Sequence, residues 1–191
     1  SSRADFGIYL PLLKKLKEDD FFELEIIAFG THLSSFHGET IQQIFKEGFD
    51  VKYKIESMLL TDSAESVSTA MGLTTIKFAG FWAQHATEFD LIFCLGDRYE
   101  MFAAVTAGIP FNITFAHLHG GETTLGAIDN IYRHAITLAS KHHFVATNIY
   151  SERVASITGS DKNITTVGAL SLDNLSTMDM LSIDDFKTKW D

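Results

Sequence analysis

Apolar runs that alternate with helical segments constrain the fold of this 191-residue chain more than any other feature. The clearest run, residues 91–95, is continuously apolar and is followed at once by the polar turn at 96–98. A strand buried on both faces has this character, because helices cover both sides of a parallel sheet. A helical segment over residues 99–107 and a second apolar run over 111–116 come next. The alternation predicts an α/β fold with a doubly wound parallel sheet of the Rossmann-like type.

The rest of the chain continues this alternation. Right-handed crossovers would place the loops after residues 29, 95, 116 and 167 on one edge of the sheet, where open α/β sheets bind ligands. Because the chain opens directly with an amphipathic helix, we expect the first strand of the sheet to be absent. Gly72 and Gly80 weaken the prediction of one continuous helix over residues 63–85. Further strands are predicted over residues 24–29, 51–55, 143–146 and 164–167. Further helices are predicted over residues 39–46 and 149–157, and two more are predicted to begin near residue 126 and at Ser182.

Charge and composition argue against several classes of protein. The formal net charge is −10 and the Lys and Arg residues are scattered, so we expect no nucleic acid partner and no anionic membrane partner. No apolar stretch approaches the roughly 20 residues that a membrane-spanning helix needs. The single cysteine, Cys94, lies inside an apolar run, which predicts a buried structural thiol and a reducing, cytoplasmic setting.

Asp97 is the first candidate for chemistry, because it follows a buried strand and precedes a helix. At such a position a carboxylate can act as a base or accept a hydrogen bond from a sugar hydroxyl. An ordinary helix N-cap is the alternative, since Asp fills that role well.

The segment that follows the second apolar run contains His117, His119 and Glu122, with Gly120 and Gly121 between them. A histidine pair spaced in this way can bind a metal, but the two glycines break the strand, and we expect no metal site. One imidazole could instead serve as an acid/base near neutral pH. Both histidines could also simply hydrogen-bond the backbone.

Asp129 and Arg133 are four residues apart on a predicted helix and therefore share a face. They could form a solvated ion pair, or they could line the cleft and act on a substrate. The sequence around His134 favours a structural role for this histidine. The chain contains neither a Walker sequence nor a dinucleotide-binding fingerprint.

These segments together resemble the UDP-N-acetylglucosamine 2-epimerase family, and its hydrolysing branch in particular. The resemblance runs from Ser1 to about Leu175, and Ile8 stands where the non-hydrolysing branch has a lysine. It implies a glycosyltransferase-B-type architecture of two doubly wound domains, of which this chain would be the amino-terminal half. Residues 1–175 would form that domain, and residues 176–191 would begin the connection to the second. The segments that carry the resemblance are residues 2–7, 31–34, 96–100, 117–123, 126–137, 167–169 and Asp173.

The resemblance implies a reaction in which UDP leaves UDP-N-acetylglucosamine by elimination. The resulting 2-acetamidoglucal takes up water with inversion at C2 and gives N-acetylmannosamine, the entry sugar for sialic acid. Related enzymes act on UDP-linked di-N-acetylated 6-deoxy sugars of the legionaminic acid pathway. A truncated, non-catalytic module for binding or assembly is the alternative from another class. We expect this chain to be inactive alone, because half a cleft cannot exclude water.

The resemblance also assigns roles to residues. Asp97 would be an acid/base residue, and Arg3 would contact the nucleotide. His119 stands where many members have a glutamate, so it would take the acid/base role, with Glu122 as the alternate. We expect a UDP-sugar partner, no cofactor, no metal, and a homo-oligomer, either a dimer or a tetramer. The predicted catalytic residues are Asp97, His119, Glu122 and Asp129, and the predicted substrate-binding residues are Arg3, His32, Arg98, Gly120, Gly121, Arg133 and His134.

Overall fold

A computed structural model describes residues 1–177 and 181–190 and shows parallel strands alternating with helices. The strands are β1 (Ile27–Phe29), β2 (Tyr53–Ile55), β3 (Ile92–Leu95), β4 (Phe115–Leu118), β5 (His142–Val145) and β6 (Ile164–Thr166). The helices are α1 (Arg3–Glu18), α2 (Ile41–Lys46), α3 (Ala64–His85), α4 (Tyr99–Gly108), α5 (Asp129–Ala139), α6 (Asn148–Thr158), α7 (Leu170–Asp173) and α8 (Ile183–Trp190). The predicted α/β class is confirmed.

The strands form two parallel sheets rather than one. β1 pairs with β2, while β3, β4, β5 and β6 pair in that order. Ile27 is opposite Tyr53 in the first sheet, and Ile92 is opposite Phe115 in the second. Between β1 and β3 lies an apolar space, here called the central gap, that holds no strand among the described residues.

Two apolar cores lie on opposite faces of β1. Phe29 packs with Phe78 and Trp82 of α3, whereas its neighbour Ala28 packs with Phe6 of α1. Alternate residues of a strand point to opposite faces, so helices cover this strand on both sides. The same packing keeps α3 continuous. The helix runs unbroken through Gly72 and Gly80, because the burial of Phe78 and Trp82 stabilises it.

The amino end of α1 is fixed by a capping box. The Ser2 hydroxyl accepts a hydrogen bond from the Asp5 amide at 3.3 Å, and the Asp5 carboxylate accepts one from the Ser2 amide at 2.9 Å. Both orphan amides are thereby satisfied where the chain enters the helix. Ser182 likewise caps α8, since its hydroxyl accepts from the Asp185 amide at 3.1 Å, and the predicted start of this helix is confirmed.

The prediction of a strand over residues 111–116 is wrong in its bounds, since the strand begins four residues later and ends two residues later. Ile109–Phe111 forms a 3₁₀ helix with Pro110 near its start, and Asn112 adopts a φ of 55°. Proline lacks the amide hydrogen that a central strand must donate, so pairing begins only at Phe115. As a result β4 extends to Leu118 and carries His117 into the core.

Two further observations concern the whole chain. No helix in the described ranges is long and apolar enough to cross a membrane. The predicted inter-domain connection at residues 176–191 includes Met178, Asp179, Met180 and Asp191, which lie outside the described residues.

Candidate active site

Four candidate side chains meet at the carboxyl ends of β3 and β4. Asp97 follows β3 after Gly96, whose φ of 75° turns the chain. His119 follows β4 directly, and Glu122 lies three residues further on. Arg133 reaches the same place from the second turn of α5. This is the sheet edge at which the sequence predicts a ligand site.

Arg133 is the centre of this cluster. One terminal nitrogen donates to the His119 carbonyl at 3.0 Å and to Glu122 Oε2 at 3.2 Å, and the other donates to the Asp97 carboxylate. Only 7% of the Arg133 surface is exposed. A planar guanidinium presents several donors in a fixed fork, so a single side chain can hold three acceptors from two loops.

The structure rejects two interpretations that the sequence left open. Arg133 turns toward Asp97 and Glu122, so the interpretation of a simple solvated pair between Asp129 and Arg133 is wrong. The N-cap of α4 is Arg98 and has no side-chain cap bond, so the interpretation of Asp97 as an ordinary helix cap is wrong too.

His119 and Glu122 form a directed pair. The Nδ1 atom of His119 lies 2.7 Å from Glu122 Oε1. Because a carboxylate can only accept, Nδ1 carries the hydrogen and Nε2 keeps its lone pair in the neutral ring. Nε2 is buried and has no hydrogen-bond partner among the described residues. Burial alone would raise the pKa of Glu122, but the His119 hydrogen bond and the charges of His119 and Arg133 hold it below its usual value.

The backbone of His119 is itself unusual. Its φ is 62°, in the left-handed region that residues other than glycine rarely occupy. Gly121 adopts a φ of 76°, and a Cβ at this residue would lie 2.6 Å from the Tyr150 carbonyl oxygen. The tight turn after β4 therefore requires glycine at this position and directs His119 and Glu122 toward each other.

His117 is a structural histidine rather than a metal ligand. Its Nε2 lies 2.8 Å from the Gly96 carbonyl oxygen and its Nδ1 lies 3.1 Å from the Thr137 hydroxyl. The side chain is fully buried, and burial lowers its pKa to about 3. The ring is therefore neutral, with Nε2 donating to the carbonyl and Nδ1 accepting from the hydroxyl. Within residues 1–177 and 181–190, no cluster of three or more His, Cys, Asp or Glu side chains is placed to hold a metal.

The remaining predicted binding residues lie outside the cluster and make other contacts. Arg3 is exposed in the first turn of α1. Arg98 is part-buried and donates to both carboxylate oxygens of Glu100, at 3.2 Å and 2.7 Å. His32 is buried, and its Nδ1 lies 2.8 Å from the Thr40 hydroxyl. Burial lowers the pKa of His32 to about 4, with the chain's amino-terminal charge acting in the same direction.

Gly120, Asp129 and His134 lie close to the cluster. A Cβ on Gly120 would come within 3.0 Å of His117 Nδ1, so its glycine identity has a packing reason. Asp129 is the first residue of α5 and is half-buried. His134 follows Arg133, and burial, followed by the charges of Arg153 and Arg133, lowers its pKa.

Sequence reasoning missed two supporting residues. Glu100 is completely buried and holds Arg98, although its sequence position shows only an acidic residue in a first helical turn. Arg153 of α6 donates to the Gly121 carbonyl at 2.7 Å and to the Thr123 hydroxyl at 3.1 Å, which supports the turn that holds Glu122. No local motif indicates these contacts, because both depend on how distant elements pack.

The chemistry available to the cluster follows from its charges. Two carboxylates and one guanidinium leave a formal charge of −1 when His119 is neutral, and the imidazole presents a free Nε2. This arrangement suits proton transfer more than it suits holding a diphosphate, which would need additional cations.

Comparison with known proteins gives consistent results. The family UDP-N-acetylglucosamine 2-epimerase matches residues 14–190. UDP-N,N'-diacetylbacillosamine 2-epimerase (hydrolyzing) from Legionella pneumophila is 34% identical over 174 residues, which are 91% of this chain and 45% of that protein. GDP/UDP-N,N'-diacetylbacillosamine 2-epimerase (hydrolyzing) from Campylobacter jejuni is 34% identical over 187 residues, covering 98% of this chain and 48% of that protein.

Solved structures show the same fold. The crystal structure of UDP-GlcNAc 2-epimerase from Neisseria meningitidis bound to UDP-GlcNAc superposes with a TM-score of 0.78 at 16% identity, covering 98% of this chain and 50% of that one. The chain thus spans about half the length of the curated relatives it matches.

Proposed function

Because this chain belongs to the UDP-N-acetylglucosamine 2-epimerase family, we propose that it is the amino-terminal half of a hydrolysing sugar-nucleotide 2-epimerase. The single observation that carries the proposal is the His119–Glu122 pair, whose buried Nε2 has no partner among the described residues and whose turn is joined to Asp97 through Arg133. A carboxylate on Nδ1 fixes the tautomer and makes Nε2 the basic nitrogen of the ring.

In the first step, His119 Nε2 removes the proton from C2 of the sugar. The electron pair of the broken C2–H bond forms a C1–C2 double bond, and the C1–oxygen bond breaks with its electron pair leaving on UDP. The product of this elimination is a 2-acetamidoglucal. Asp97 stabilises the positive character that develops at C1, and Glu122 stabilises the imidazolium that forms.

In the second step, water adds across the double bond. The oxygen joins C1, and the electron pair of the double bond takes a solvent-derived proton at C2 on the face opposite to the one that lost it, so the configuration at C2 is inverted. The His119 imidazolium returns the proton of the first step to solvent. Asp97 takes the proton from the attacking water. Arg133 holds Asp97 and Glu122 in fixed positions throughout, so the cluster does not reorganise between the two steps.

The nucleotide is held elsewhere. Since the cluster carries a formal charge of −1, we assign the diphosphate to Arg3, to Arg98 and to the second half of the cleft, which the chain does not contain. We therefore expect this chain alone to be inactive, because an open cleft admits water to the reacting atoms. The reaction fits a cytoplasmic setting.

UDP-N-acetylglucosamine is our first candidate for the substrate. A UDP-linked di-N-acetylated 6-deoxy sugar is the second, and one observation favours it: two relatives with 34% identity carry the name diacetylbacillosamine 2-epimerase (hydrolyzing). Both substrates react at C1 and C2, so the same cluster serves either one.

The test uses a chimera that joins this chain to the carboxyl-terminal half of the Legionella pneumophila relative. Proton NMR in deuterated water follows each UDP-sugar separately. We expect free UDP and a 2-epimerised sugar that carries deuterium at C2, with one of the two nucleotides preferred.

Two variants separate chemistry from binding. His119→Asn and Asp97→Asn should each lower kcat by at least about 100-fold while leaving the dissociation constant of UDP within a few fold. Exposed Lys141→Ala is the matched control and should react like the parent chimera. A folded chimera that binds UDP but never exchanges the C2 proton would favour a non-catalytic binding module.

A further inference from the structure

The segment that carries Glu122 is held by little packing at its far end. Residues 120–127 lie between β4 and α5, and three of them are glycines. Residues 123–126 are all exposed, Leu125 to 99%, and a Cβ on Gly126 would meet no described atom within 4 Å. Glycine gives a chain more conformational freedom than any other residue, and at these positions no buried side chain offsets it. Hydrogen bonds must therefore fix this segment.

One side chain binds the segment at three backbone groups. The Oδ1 atom of Asn130 accepts from the Thr124 amide at 2.8 Å. Its Nδ2 atom donates to the Thr124 carbonyl at 2.6 Å and to the Ala127 carbonyl at 3.1 Å. A carboxamide carries an acceptor and two N–H donors, so it satisfies an amide and two carbonyls at once, whereas a carboxylate of the same shape would satisfy only the amide. Asparagine is therefore the side chain that matches this segment.

The bonds of Asn130 enclose a turn at the exposed end of the segment. The Ala127 amide donates to the Thr124 carbonyl at 3.2 Å, and Gly126 has a φ of 75°. A positive φ at the third residue of a turn is typical of the type II geometry, which favours glycine there. The turn at 124–127 is thus attached as one unit to the second residue of α5.

A second side chain holds the other end of the segment. Arg153 of α6 donates to the Gly121 carbonyl and to the Thr123 hydroxyl. The guanidinium carbon of Arg153 lies 6.0 Å from the centre of the Tyr150 ring on the same helix. Glu122 lies between this anchor and the one that Asn130 provides. Its backbone is therefore held from both sides by side chains of two different helices.

The position of the Glu122 carboxylate decides which nitrogen of His119 is basic. Oε1 lies 2.7 Å from His119 Nδ1, and Oε2 accepts from Arg133 at 3.2 Å, so both oxygens are engaged. A shift of the Glu122 backbone would weaken the first of these bonds. The neutral ring would then carry its hydrogen on Nε2 in a fraction of the molecules, and a nitrogen that carries a hydrogen cannot take a further proton from a substrate.

We propose that Asn130 is a positioning residue for the proposed epimerisation, and this inference rests on the proposed function. By holding the turn at 124–127, it keeps the Glu122 carboxylate on His119 Nδ1 and leaves Nε2 free to take the C2 proton. Asn130 acts through Glu122 and is not itself a catalytic residue. An asparagine that only stabilised the start of α5 would leave the His119 ring unchanged, so the two roles differ in a measurable way.

Nitrogen NMR of the histidine rings in the 191-residue chain tests the proposal without turnover. At pH 8 we expect the parent His119 ring to carry its hydrogen on Nδ1. In Asn130→Ala and in Asn130→Asp, the Nε2–H form of His119 should rise by at least about fivefold, the change that the net loss of one hydrogen bond gives. His117 donates through Nε2 and is the internal reference, so its signals should not change.

The hydrogen exchange of one amide shows whether the contact itself is lost. In Asn130→Ala the Thr124 amide should exchange at least about tenfold faster than in the parent chain, because its acceptor is gone. Alanine favours a helix more than asparagine does, so this variant does not act by unwinding α5.

Two further variants complete the set. Thr124→Ala is the matched control, since Asn130 binds backbone groups that the variant keeps, and it should give the parent His119 signals. Gly126→Ala strains the same turn through its positive φ and leaves α5 intact, so it should raise the Nε2–H form as the Asn130 variants do.

The chimera with the Legionella pneumophila carboxyl-terminal half measures the effect on the reaction. Asn130→Ala should lower kcat by about 10- to 100-fold, because the proton-accepting nitrogen is no longer held in place. The KM should stay within a few fold of the parent value, since Asn130 does not act on the substrate. Thr124→Ala should keep the parent kcat.

Several outcomes would overturn the proposal. If the Thr124 amide exchanges faster in Asn130→Ala while His119 keeps its parent signals, Asn130 only holds the loop. An unchanged kcat in the same variant rejects the proposal as well. If Asn130→Ala does not fold, parent His119 signals in Gly126→Ala reject it. If the parent chimera turns over neither UDP-sugar, the proposed function fails, and the NMR results still decide whether Asn130 holds the His119–Glu122 pair.

Discussion

Replacing Arg133 should destabilise the fold and at the same time loosen the cluster that it forms with Asp97, His119 and Glu122. In Arg133→Ala the carboxylates of Asp97 and Glu122 lose a shared donor, and so does the His119 carbonyl. Removing one partner of a buried ion pair costs about 3–5 kcal/mol, because a charge is left without compensation. The Asp97 and Glu122 side chains are 23% and 25% exposed, so solvent screens part of that loss and the lower end applies.

We therefore expect the free energy of unfolding to fall by about 3 kcal/mol, which corresponds to a Tm lower by roughly 6–12 °C for a chain of this size. Urea denaturation followed by tryptophan fluorescence measures the change through the buried Trp82, with Lys141→Ala as an exposed control. Arg133→Lys keeps the charge but loses the fork, and should recover less than half of the difference.

The pH dependence supplies an independent check. The pKa of Glu122 is depressed in the folded state, so its contribution to stability is present above its ordinary value of 4.5 and is lost as the pH falls through the folded value. The acid-induced loss between pH 5 and pH 3 should be smaller in Arg133→Ala than in the parent chain. If the variant unfolds within about 0.5 kcal/mol of the parent and with the same pH profile, Arg133 does not hold the cluster together.

Four further measurements test other parts of the structure. Gly121→Ala should lower the free energy of unfolding by more than about 2 kcal/mol, because the positive φ of this residue and the nearby Tyr150 carbonyl leave no room for a Cβ. Gly72→Ala in α3 is the control and should raise the free energy of unfolding by about 0.5–1 kcal/mol. Equal urea midpoints for the two variants would contradict this prediction. His117 should remain neutral from pH 8 to pH 5 in NMR titration, since its pKa lies near 3, and a ring that titrates near 6.5 would refute its burial. Because that folded pKa lies below the unfolded value, its contribution to stability should be full above about pH 6.5 and decline toward pH 3, and His117→Gln should flatten this decline in acid denaturation. Phe78→Ala should cost about 3–5 kcal/mol in the same denaturation assay, and a loss below 1 kcal/mol would mean that the core is not packed as described.

The order of elements and the edge that carries the candidate site could be predicted because they depend on local patterns. A buried parallel strand such as Ile92–Leu95 is apolar throughout, and its turn residues follow at once. Since parallel strands all end at one edge, placing Asp97 and His119 near each other required only the order of strands and helices.

The pairing of side chains could not be predicted, because it depends on distances across the sheet. The spacing of Asp129 and Arg133 suggests a local pair, yet the guanidinium reaches residues 36 and 11 positions away, Asp97 and Glu122. The bounds of β4 were also predicted wrongly. An apolar run near Pro110 does not show where ladder pairing can begin, and the extension of the strand by two residues at its carboxyl end places His117 within it.

The hydrogen bonds of His117 limit how Asp97 and Arg133 can move relative to each other. Its two ring nitrogens join the Gly96 carbonyl, one residue before Asp97, to the hydroxyl of Thr137, which lies one helical turn after Arg133 on α5. Sliding α5 along the sheet would break one of these contacts inside the core, where no water replaces it. We therefore expect Asp97 and Arg133 to move as one rigid body, with the hinge of any larger motion outside them.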